Sequence, residues 1–141
     1  MKKLYFLVIL MPVLMLVAMM TSCSNDIDKV KSLTKELEND SEDWDKEKWK
    51  QVMTDFYTAS IHFFEGEPSK EEFEKFEEAF DDFGRAVEDA GTYRDVYKKF
   101  KNKDKELKEL NEKFYEAYYK YKEKYDEEYA KMRKEEYEKN R

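Results

Sequence analysis

Only three glycines and two prolines occur in 141 residues, and one of the prolines is Pro12, near the start. So few breakers leave little room for tight turns and favour long uninterrupted elements. No stretch alternates strictly between apolar and polar positions, so strands are not expected. Histidine occurs once, at His62, and cysteine once, at Cys23. Such a chain lacks a disulfide, a CxxC pair, the clustered ligands of a zinc site and the usual parts of a Ser/His or Cys/His nucleophile. Catalytic residues, cofactors and bound metals are therefore expected to be none, and an enzymatic role is not expected. Basic charge is also in deficit, with 27 Lys and Arg against 34 Asp and Glu and a net of −7. Lys2 and Lys3 are the only charges before Cys23, so without them the net becomes −9, and no nucleic-acid partner is expected.

What is present begins with an export signal. Lys2 and Lys3 precede an uncharged run from Leu4 to Met20, the tripartite pattern of a secretory leader. The run is at the short limit for a membrane span, and Asp26 and Asp28 follow it instead of a basic stop-transfer cluster. Met20-Thr21-Ser22-Cys23 resembles a bacterial lipobox. That resemblance implies a diacylglycerol on the Cys23 thiol, cleavage before it and acylation of the new amino terminus. Two or more chains hold a membrane stably where one does so only marginally, which makes Cys23 the lipidation site and the membrane a partner.

Ser24-Asn25-Asp26-Ile27-Asp28 looks like the surface-export signal of lipoproteins in the Bacteroidota. Together with the DW…W helix start at Trp44 and Trp49, it makes the chain resemble the small all-helical lipoproteins of unknown function found in gut members of that group. The resemblance implies a lipid-anchored outer-membrane location, on the periplasmic face or the cell surface, and carries no active site. Residues 1–22 are read as a lipoprotein signal peptide, 23–44 as a lipidated N-terminus with a short tether helix, and 45–141 as a helical bundle domain.

Charged residues are 43% of the sequence, yet aromatics at 16% argue against disorder and for a core built of rings. Ile27, Val30, Leu33 and Leu37 recur at helical spacing over 26–39. Asp45 is a good N-cap, with Trp44 and Trp49 placed as a hydrophobic staple. A wide apolar face then runs from Trp49 to Phe64 and stops at Gly66. Ser69 and Glu72 have the spacing of a capping box, and Phe73, Phe76, Phe80, Phe83, Val87 and Ala90 keep an unbroken seam up to Gly91. Nothing but the polar Lys101-Asn102-Lys103-Asp104 interrupts the pattern from Thr92 to the end, so one long helix, straight or bent there, is favoured over a fresh helix capped by Asn102 or Asp104. Glu109/Lys113, Glu116/Lys120, Glu127/Lys131 and Glu135/Lys139 would support it. The fold expected is all-α, an antiparallel helical bundle of three to four helices with a long C-terminal helix.

Local charge offers little chemistry. His62 lies off the apolar face and reads as an exposed, non-functional residue. The acids of Asp40 to Asp45 lack EF-hand spacing, and acids near a helix start already complement its dipole. Five lysines over 97–107 read as a solvated helix face. Tyr115, Tyr118, Tyr119, Tyr121, Tyr125 and Tyr129 stand out because they spread over more than one narrow seam, and tyrosine combines flat apolar area with a polar tip. Packing within a bundle accounts for such rings in general, and Tyr115, Tyr119, Tyr125 and Tyr129 form the candidate binding surface, for a protein or glycan partner. A structural or stress-related periplasmic spacer is the alternative function.

Overall fold

A computed structural model describes residues 24–141; Cys23 and the expected signal peptide lie outside the described residues. It is all-helical, with no strand among the described residues. Helix α1 covers residues 24–40 and passes through a 3₁₀ turn at Ser41–Asp43 to α2, Lys46–Glu65. Helix α3 is Lys70–Asp89. A π-helical turn at Tyr93–Tyr97 runs into an α-turn at Lys98–Phe100, together α4. Helix α5 is Lys105–Tyr125 and α6 is Glu127–Lys139.

The helix starts are set by side-chain oxygens taking up orphan backbone N–H groups. Asp45 accepts from Lys48 N at 2.9 Å, and Trp44 meets Trp49 edge-on at 5.2 Å. Ser69 accepts from Glu72 N at 3.2 Å while its hydroxyl donates to the Glu72 carboxylate at 3.1 Å. At the close of α2, Gly66 N–H donates to His62 and Phe63 carbonyls, but the left-handed residue is Glu67, at φ 51°. A non-glycine there is a mild local strain.

Cross-contacts give the helix directions. Asp26 meets His62 and Glu36 meets Lys48, so α1 runs opposite to α2. Phe56 stacks on Phe83 at 4.1 Å and Phe63 on Phe76 at 4.7 Å, so α3 also opposes α2. Lys50 reaches Asp104 at 3.0 Å, Asn111 reaches Tyr57 at 2.7 Å and Phe64 stacks on Tyr121 at 5.4 Å. Helix α5 therefore runs parallel to α2 and opposite to α3. The short α4 lies at the end where α3 finishes and α5 begins.

Phe114 of α5 is fully buried in the seam, with Phe56 and Phe80 each at 5.3 Å and Phe64 and Phe76 each at 6.2 Å. The same core includes Ile27, Val30, Leu33 and Leu37. The apolar face of α1 thus shares one buried cluster with α2, α3 and α5.

The long final helix is corrected: six helices are present among the described residues, and the stretch from Thr92 onward is broken twice. Asp104 caps α5 by accepting from Leu107 N at 3.1 Å, and Asp126 caps α6 by accepting from Tyr129 N at 3.0 Å. None of the four Glu/Lys pairs closes to an ion pair among the described residues. Lys122 instead bridges Glu77 of α3 at 2.7 Å and Asp126 at 3.3 Å.

Candidate binding site

Helix α5 distributes its tyrosines over two faces. Tyr118 and Tyr121 are buried in the seam, and Tyr118 donates to Glu77 Oε2 at 2.8 Å, the carboxylate oxygen that Lys122 also holds. Burial and that nearby carboxylate push the Tyr118 phenol far above its ordinary value. Tyr125 is half-buried against Phe73, with rings 5.8 Å apart, and its hydroxyl donates to the Pro68 carbonyl at 2.7 Å.

Tyr115 and Tyr119, one helical turn apart on α5, stack at 5.7 Å with 25° between their planes. Tyr119 in turn stacks on Tyr129 of α6 at 6.1 Å and 15°. A straight helix would carry residue 129 about 15 Å along the axis from residue 119. The short ring separation therefore comes from the turn at Asp126, which folds α6 back beside α5. The two helices splay into an open groove of about 790 Å³ that holds Tyr119, Tyr129 and Met132. Tyr119 is 47% exposed and Met132 55%, and no residue of α6 is buried.

Three of the four tyrosines chosen from the sequence, Tyr115, Tyr119 and Tyr129, thus come together as one column, while Tyr125 belongs to the contact with α3. Sequence reasoning missed two things. The fold-back rests on Asp126, an N-cap residue that nothing in the periodicity singled out. Tyr115 also faces inward, toward a second cluster formed by Tyr57, Tyr97 and Asn111, and burial raises the pKa of all three phenols, Tyr57, Tyr97 and Tyr115. They remain neutral hydrogen-bonding groups at ordinary pH.

His62 is exposed on α2 but its Nδ1 lies 2.7 Å from Asp26 Oδ2. That contact raises the His62 pKa, while burial pushes the Asp26 carboxyl upward and outweighs the pull of the imidazole. The pair fastens the start of α1 to the end of α2. Among the described residues, no group of His, Cys, Asp and Glu is arranged to hold a metal ion, and no helix is long and apolar enough to cross a membrane. Comparison with family models, with curated proteins and with solved structures returned no match to this chain.

Proposed function

We propose that the protein is a non-enzymatic, lipid-anchored module of the cell envelope, attached to the outer membrane through Cys23 and presenting an aromatic surface to a protein or glycan partner. The observation that carries this reading is the Tyr115–Tyr119–Tyr129 column continued by exposed Met132. Flat rings with polar edges, with Tyr119 and Met132 exposed beside a helix, α6, that buries none of its residues, suit contact with another molecule. Residue 24, the first described residue, is already helical.

The spacer alternative drew on a single long final helix that would set a distance. With α5 closed at Tyr125 and α6 turned back, that arm is missing, and the interaction reading is the stronger one. Three experiments test it. Fractionation of cells carrying Cys23→Ala should move the protein out of the membrane fraction; retention there would refute the anchor. Protease treatment of intact cells then decides the face. A glycan array or envelope-protein capture with Tyr119→Ser/Tyr129→Ser beside the wild type tests the surface, and equal binding by both would refute its role.

A further inference from the structure

Between α2, α3, α4 and α5 the packing leaves a half-enclosed cleft of about 260 Å³, lined by none of the residues of the α5–α6 groove. Its size is just under the roughly 300–1,000 Å³ of pockets for drug-sized ligands, which suits one ring and little more. Phe56 and Phe83, stacked on each other at 4.1 Å, line it together with Tyr93, Tyr97 and Tyr115. Gly84 lines it from α3, and a Cβ built there would meet nothing within 4 Å, so the helix backbone itself borders empty space.

The polar groups around this space are unusual for so acidic a chain. Tyr57 is held in place by Asn111 Nδ2 at 2.7 Å. Lys101 and Lys108 line the cleft with no ion-pair partner among the described residues, and Lys101 Nζ sits over the rings of Tyr93 and Tyr97 at 5.8 and 5.9 Å. Glu88 is the one acid in the lining. The rim also contains the π-helical turn, a distortion that recurs where helices build functional sites.

We propose that this cleft binds a single-ring carboxylate, with the ring against the aromatic lining beside Gly84 and the carboxylate directed to Lys101 and Lys108. Donors dominate the polar lining, so a ligand with acceptor oxygens is matched and a cationic one is not. Aromatic acids and uronic acids share this chemistry. The assignment depends neither on the lipid anchor nor on the α5–α6 surface.

The test is a titration of the full chain with 4-hydroxybenzoate and, separately, glucuronate, followed through the indole N–H resonance of Trp49. That ring stacks on Tyr97 at 5.0 Å and so reports on the cleft. At least one probe should shift the resonance saturably, with half-saturation below about 1 mM, a modest demand for a ligand of this size. Saturation by the aromatic acid alone, or by the uronic acid alone, identifies the source. Gly84→Leu, which fills the space, and the double variant Lys101→Met/Lys108→Met should each weaken binding at least tenfold with helix content unchanged by circular dichroism. The lysine variant carries the test if the leucine variant does not fold. No shift with either probe, unchanged affinity in the variants, or equal binding of neutral phenol or glucose would overturn the proposal.

Discussion

The indole N–H of Trp49 donates to Thr92 Oγ1 at 2.8 Å, and the Thr92 hydroxyl donates onward to the Ser41 carbonyl at 2.7 Å. One threonine thereby joins the start of α2, the start of the π-helical turn and the 3₁₀ turn that ends α1. Trp49 is wholly buried, so its N–H has no access to water if Thr92 is lost. Thr92→Val keeps the shape and removes the acceptor, and it should destabilise the fold by about 1–3 kcal/mol in chemical denaturation. A change under a few tenths would show the relay to be dispensable.

Phe114 should be the costliest single truncation. Its ring is completely buried between Phe56 and Phe80, and Phe114→Ala leaves a cavity that helices on three sides cannot easily close. A loss of roughly 3–5 kcal/mol is expected, and Phe114→Leu, which retains more volume, should lose less. Equal midpoints for the two variants in urea would contradict this.

Gly84→Ala should stabilise. The position is mid-helix with ordinary backbone angles, and the added methyl meets no atom within 4 Å. The gain expected from helix propensity is about 0.5–1 kcal/mol, read as a higher melting temperature.

The helix starts were open to sequence reasoning because their signals are local. Asp45 with Trp44 and Trp49, and Ser69 with Glu72, each act within five residues, and each forms as the spacing implies. The Phe73-to-Val87 seam was legible for the same reason. Gly66 was recognised as a stop, but the left-handed residue is its neighbour Glu67, since the α2–α3 connection has only a few residues in which to reverse. Asp126 was opaque: a capping aspartate amid Glu and Lys carries no distinctive signal, and its other contact, Lys122, also bridges to Glu77, a partner on α3 remote in sequence. The inward cleft could not be read because it depends on α2 and α5 lying parallel, a relation across distant segments.

Asp126→Ala should release α6 without unfolding the rest. The side chain accepts the Tyr129 N–H and contacts Lys122, and its carboxyl is held below the ordinary value chiefly by that backbone bond. Loss of such a cap is enough to unravel a helix with no buried residue. Hydrogen exchange over 127–139 should accelerate while α5 amides stay protected, and unchanged exchange would refute the hinge.

The Asp26–His62 pair predicts a shallow pH dependence. Because the carboxylate raises the His62 pKa above 6.5, its stabilisation is complete below that value and fades as pH rises through the higher folded value. The position in the last turn of α2 adds to the preference for the charged ring. His62 is largely exposed, so the effect should stay under about 1 kcal/mol. Melting temperatures of wild type and His62→Gln should differ most in mild acid and converge in mild base.

The parallel run of α2 and α5 also governs how the chain acquires its structure. Tyr57 and Asn111 are 54 residues apart, so the contact that closes the seam is remote in sequence although every element is a helix. Until α5 emerges from synthesis, the rings of α2 and α3 that Phe114 and Tyr118 will cover remain open to water and to other chains. Nascent chains ending near residue 104 would therefore be the most prone to associate, and a holding chaperone would have its greatest effect within that interval.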